Sequence, residues 1–254
     1  LNLSYIDSLY EAVASWTTTG TSVVNSDVMP IGLQMLRASC NWMGALGIIV
    51  IALNFLPTWQ FVGRSLVITE IAGPGFMKIN TTFRKTYRRA LAIYISLTAI
   101  QYALLRLSGL NKSDSLITSL SNISTAGLMN LNNGNIISYG LAVKIIITSF
   151  AFMSSLNFSI LLLATMRKFR ELTEGPELKF HSGRILTTAI FITGVLYITY
   201  NRSISSLKEF GNVLMQVNSY FTTAGYQISD TSRWPGAACA IILVQMFIGA
   251  CAIS

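Results

Sequence analysis

"SWTTTGTSVV", residues 15–24, sets three threonines and a glycine between two apolar segments. Met once, such a stretch is an ordinary turn, since hydroxyl side chains and glycine both favour one. It is met three times. The segments "LYEAVASWTTTGTSVVNSDVMP" (9–30), "LITSLSNISTAGLMNLNNGNII" (116–137) and "LMQVNSYFTTAGYQISDTSRWP" (214–235) share one plan: a short amphipathic stretch, a hydroxyl-rich strip ending in glycine, a polar strip, then an apolar run. Gly20, Gly127 and Gly225 lie 107 and 98 residues apart, and Pro30, Ile137 and Pro235 each follow their glycine by ten. A unit of about a hundred residues is therefore repeated, as in many membrane transport folds.

Composition agrees with a membrane setting. Of 254 residues, 52% are hydrophobic and 11% charged, against about a quarter charged in a soluble domain. Apolar stretches at 31–56, 91–107, 136–166, 185–200 and 235–254 approach the ~20 residues that cross a bilayer as helix. An all-α integral membrane protein with five spanning helices is predicted. The basic residues place its loops: Arg64, Lys78, Arg84, Lys85, Arg88 and Arg89 fall between the first and second spans, and Arg167, Lys168, Arg170, Lys179 and Arg184 between the third and fourth. Both connections are then cytoplasmic. The net charge of +8 is thereby a topology signal that calls for no nucleic-acid partner, and a basic face toward anionic lipid remains open.

The stretch before each glycine is too short to span, because a dozen helical residues reach only ~20 Å against ~30 Å of hydrocarbon. It must enter and return on one side, and non-helical backbone at that depth has to line water or be buried in protein. The three strips then face outside, opposite the basic loops. "IAGPGF" (71–76) and "TEGPEL" (173–178) break one unit from the next. The expected units are 1–57, a pore loop and its following helix; 58–167, the second; and 168–254, the third, truncated in its last helix.

Stacked backbone carbonyls with a threonine hydroxyl replace the hydration shell of a monovalent cation without a fixed charge. Glycine accepts the backbone angles that turn a carbonyl toward an axis, and the negative end of the preceding half-helix favours a cation there. The expected ligands are Thr18, Thr19, Gly20 and Thr21; Thr125, Ala126, Gly127 and Leu128; and Thr223, Ala224, Gly225 and Tyr226. The ion is held by carbonyls alone, with no transition metal and no organic cofactor.

Other residues read more plainly. Cys40, Cys239 and Cys251 are odd in number and fall in predicted spans, which fits neither a disulfide framework nor zinc. His181 is expected in a basic cytoplasmic loop. Arg37 and Lys144 are expected as anchors reaching the outer interface. Asp27 and Asp230 follow strips and serve either to gather cations or as solvated loop carboxylates. "GALG" (44–47) and "GAC" (249–251) permit close helix packing. An enzyme is disfavoured, since neither a metal-ligand cluster nor a histidine-supported nucleophile is visible.

With these residues in view, the sequence resembles the Trk/Ktr/HKT superfamily of potassium transporters. "TTTGTSV" resembles the first filter, "LRASCNWMGALGIIVIALNFLP" the helix after it, "FTTAGYQISDTSRWP" the third filter, and "FIGACA" the start of a helix interrupted by a gating loop. The resemblance implies helix, pore-loop, helix units around a pseudo-fourfold pore, and Gly20, Gly127 and Gly225 as filter glycines. On it the chain is read as a fragment lacking the first helix and the fourth unit, and "ACAIS" is less glycine-rich than the family's gate. It further implies potassium uptake across a bacterial-type cytoplasmic membrane, a homodimer, and cytosolic nucleotide-binding regulatory subunits. Alternatives are the potassium-binding subunit of an ATP-driven pump and a non-conducting assembly subunit.

Overall fold

The computed structural model describes residues 3–24, 28–55, 83–127, 135–156, 176–199 and 207–249. These residues are helical, without a strand among them, in the order α1 (Tyr5–Trp16), α2 (Ile31–Phe55), α3 (Phe83–Leu107), α4 (Lys112–Ile123), α5 (Leu141–Ser155), α6 (Pro176–Thr199), α7 (Leu207–Phe221) and α8 (Gly236–Gly249). The unit boundaries expected at 57/58 and 167/168 lie outside the described residues, as do Asp27 and Cys251.

The predicted short helices are present: α1 and α4 have 12 residues and α7 has 15. The predicted spans overlap α2, α3, α5, α6 and α8. Arg88–Leu107 and Leu178–Thr199 are long and apolar enough to cross a bilayer, while Leu141–Ser155 and Gly236–Phe247 are shorter apolar helices over the described residues. Pro30 and Pro235 open α2 and α8 alike, their carbonyls accepting from the amides of Leu33 and Gln34 and of Ala238 and Cys239. The middle unit differs: Ile137 does not begin a helix, and α5 starts at Leu141 after Gly140.

Packing repeats with the sequence. The short helix α4 lies against α3 and α5 and against α2 of the preceding unit; α7 lies likewise against α6, α8 and α5. The half-helices α4 and α7 are thus each wedged between their own unit and the one before, while α1 packs against α2. Between α2 and α3, the Trp42 indole N–H donates to Thr98 Oγ1 at 3.0 Å and its ring lies 5.2 Å from that of Tyr94.

Two expectations change here. His181 lies within α6 rather than in a loop, its ring edge-on to Phe221 at 5.1 Å. The helix begins at Pro176, a favoured first helical residue, and so takes in the polar run "ELKFHSGR". Arg37 is not an interfacial anchor: it is only 7% exposed and pairs with Glu11 at 3.3 Å. A carboxylate on the adjacent half-helix outcompetes the interface for it. Lys144 is also buried, at 9% exposed.

Close helix contact rests on two glycines at one register. A Cβ on Gly44 would stand 2.1 Å from the Trp16 carbonyl oxygen at the end of α1, and one on Gly249 2.1 Å from that of Phe221 at the end of α7. Gly47, by contrast, has open space. Gly44→Ala is therefore expected to cost ~1–3 kcal/mol by overpacking, while Gly47→Ala is neutral or gains up to ~1 kcal/mol from helix propensity. Thermal unfolding of the detergent-purified protein separates the two.

Candidate functional site

Each strip begins where a half-helix ends, and the three ends are built alike. Thr17, Ser124 and Thr222 follow the last helical residues, and the next residue in each case, Thr18, Thr125 or Thr223, is left-handed with φ of 54°, 54° and 57°. Two backbone bonds close each end. In the first, Thr19 N–H reaches Ala14 O at 3.1 Å and Thr18 N–H reaches Ser15 O at 3.4 Å; in the second, Ala126 N–H reaches Ser121 O at 3.0 Å and Thr125 N–H reaches Asn122 O at 3.1 Å. That pairing is the Schellman closure, which usually places glycine at the left-handed position. The third end is a variant in which Thr223 N–H bonds Tyr220 O and Gly225 N–H takes Ser219 O, both at 3.2 Å.

A β-branched residue at positive φ costs about 1–3 kcal/mol. Threonine adds what glycine lacks: the hydroxyls of Thr125 and Thr223 donate to the carbonyls just before them at 2.8 and 2.7 Å. Two residues on, Gly20, Gly127 and Gly225 are left-handed as well, at φ 72°, 68° and 69°. Left-handed, ordinary, left-handed angles therefore recur three times. Such an alternation is not the extended backbone of a β-strand, in which successive residues face opposite ways.

The strips meet. A Cβ on Gly20 would lie 2.1 Å from the carbonyl oxygen of Ala126, and one on Gly127 would lie 2.2 Å from that of Ala224. The first two glycines thus each face the carbonyl of the residue before the next strip's glycine. Gly225, third in the series, has open space on that side. The half-helices α1, α4 and α7 all end at these strips, so their negative dipole ends converge on the same place.

Neighbouring side chains brace the strips. Tyr10 and Thr21 share a hydroxyl hydrogen bond at 2.7 Å, and Thr17 and Thr19 one at 2.6 Å. The wholly buried Tyr226 donates its hydroxyl to Asn122 Oδ1 on α4, and Asn122 Nδ2 donates to Ile147 O on α5 at 3.0 Å. Ile136 N–H reaches Gln227 O at 2.9 Å, tying the polar strip of the second unit to the third.

Of the twelve expected ligands, eleven lie in the described strips and Leu128 lies outside them. Tyr226 departs from expectation. Its carbonyl accepts from Gln216 Nε2 and Ser219 Oγ, both at 2.9 Å, so that oxygen is committed to α7 and its lone pairs are taken. Asp230 caps a short 3₁₀ turn at Thr231–Arg233, accepting from Ser232 N–H at 3.2 Å. Missed from sequence were Glu11, Gln216 and Asn122, polar residues on the half-helices; for Glu11 and Gln216 the shared spacing of nine before the glycine was the available signal. Among the described residues, no group of three or more His, Cys, Asp or Glu converges on a metal site.

The Tyr226–Asn122 bond joins two units. Tyr226→Phe leaves Asn122 Oδ1 buried without its donor, an expected loss of ~1–3 kcal/mol. Unchanged thermal unfolding of that variant would mean the bond carries no weight.

The profile of the TrkH family, described as cation transport protein, matches residues 1–254. The chain is 28% identical over 98% of its length to Trk system potassium uptake protein TrkH of Halomonas elongata and 29% identical over 99% to that of Salmonella typhimurium, covering 52% of each. The crystal structure of the potassium transporter TrkH from Vibrio parahaemolyticus superposes with a TM-score of 0.70 at 26% identity, over 100% of this chain and 52% of that one. The chain thus spans about half the length of the curated relatives it matches.

Proposed function

The chain belongs to the TrkH family of cation transport proteins, and from that premise we propose that its three strips are quadrants of a potassium-selective filter in a membrane uptake system. The family is one of transporters, not enzymes, and its fold is that of a membrane protein built from repeated helical units. The observation that carries the reading is the recurring pair of left-handed residues, Thr18 and Gly20, Thr125 and Gly127, Thr223 and Gly225, with each strip pressed on the next.

Dehydration is the central cost of selective passage, and preset carbonyls repay it only if they stand where the water oxygens stood. Carbonyls of Thr18, Thr19, Gly20, Thr125, Ala126, Gly127, Thr223, Ala224 and Gly225 would form the rungs, with Thr21 and Leu128 at the outer end. Tyr226 supports the strip through its ring and hydroxyl. A fourth strip seats beside Gly225, whose flank faces no other described strip. The ion is carried by oxygen ligands alone.

The strips face outward and the basic connections inward, across a bacterial cytoplasmic membrane. The working assembly is a homodimer in lipid, docked through its basic face on cytosolic nucleotide-binding regulatory subunits, without nucleic acid. The full-length protein is expected to restore growth of potassium-uptake-deficient cells at low external potassium. Gly20→Ser should raise sodium permeation, because any side chain at Gly20 displaces the Ala126 carbonyl; a potassium-to-sodium ratio unchanged by substitution at all three glycines would sink the reading. Gly225 gives a further check. In the full-length protein Gly225→Ala is expected to disturb uptake as severely as Gly20→Ala, because the fourth strip occupies the space beside it; a much milder effect means that space stays open.

A further inference from the structure

Nine residues before each filter glycine stand Glu11, Thr118 and Gln216. The Glu11 Oε1 atom accepts from Ser22 Oγ at 2.6 Å and from the amides of Val23 and Val24 at 2.8 and 3.3 Å. The Gln216 Oε1 atom accepts from the amides of Ile228 and Ser229 at 2.6 and 3.0 Å. Val23 and Ile228 are the third residues after their glycines, Val24 and Ser229 the fourth. A carboxylate in one unit and an amide in another thus capture the same pair of backbone donors. Thr118 is two bonds shorter, is wholly buried, and its hydroxyl has no hydrogen-bond partner among the described residues.

The helix behind each clamp matches its charge. Arg37 stands seventeen residues after Gly20 and pairs with Glu11, while at the same register after Gly225 stands Ile242. A buried carboxylate needs a counter-charge and a buried amide does not. The common element is therefore the acceptor oxygen and its reach, with the charge a local variant.

We propose that Glu11 and Gln216 are positioning residues, which hold the outer limbs of the first and third strips and thereby keep the carbonyl rungs at the spacing that distinguishes potassium from sodium. This rests on the strips being a filter. The test measures potassium and sodium flux into proteoliposomes carrying the full-length protein, alongside monodispersity and melting temperature. Glu11→Ala and Gln216→Ala are each expected to lower the potassium-to-sodium ratio about tenfold, the scale of losing hydrogen bonds to a buried acceptor. The charge-neutral pair Glu11→Gln with Arg37→Met keeps an acceptor of equal reach and is expected to return the ratio to within about threefold of wild type, as the Gln216 and Ile242 registers imply. If Glu11→Ala does not fold, Gln216→Ala and the neutral pair decide. A folded Gln216→Ala with an unchanged ratio, or a folded neutral pair without the wild-type preference, overturns the proposal. A wild-type protein that shows no preference for potassium overturns instead the filter reading beneath it.

Discussion

The arrangement depends on how three half-helices stop. A helix ending inside a membrane protein exposes carbonyls that lipid cannot satisfy, and here a left-handed threonine closes each end with backbone bonds while sending the chain off at a sharp angle. The same residue that satisfies the helix also starts the strip. Glycine would adopt this angle at less steric cost, but it would leave the preceding carbonyls of Ser124 and Thr222 without the hydroxyl donors that Thr125 and Thr223 supply.

Strain of this kind persists only where the surroundings over-determine it. Polar side chains of α1, α4 and α7 do that: the buried Glu11 and Gln216 hold the outer limbs, the buried Asn122 grips Tyr226, and the exposed Tyr10 reaches Thr21. The close approach of α2 to α1 at Gly44, and of α8 to α7 at Gly249, sets the ends of α1 and α7 against a helix that has no side chain in the way. Local backbone cost and tertiary bonding are thus arranged in the same order in two units.

Much of this was legible from the repeat. The Thr-Gly strips, the short stretches before them and the apolar runs after them appear as α1, α4 and α7 and their neighbours, because hydrophobic length and glycine placement are local properties. What escaped depends on contacts between distant segments. Burial of Arg37 follows from Glu11 lying across an intervening loop, and the Tyr226 carbonyl is claimed by α7 rather than left beside the other rungs. The place of His181 was misread because a polar first turn resembles a loop when Pro176 is not taken as a helix start. That left-handed angles fall on threonine as well as glycine has no compositional signature.

The contact of Gly20 with the Ala126 carbonyl, repeated by Gly127 with Ala224, joins unlike surfaces in a constant sense. Contacts of that kind either close into a ring or run on as a helix, depending on the rotation per step. The number of units that can stand around the centre is therefore constrained at this small contact as well as by the helices packed behind it. A chain of repeated units is in this respect a covalent version of a cyclic oligomer, with the joints between its strips made inside one molecule.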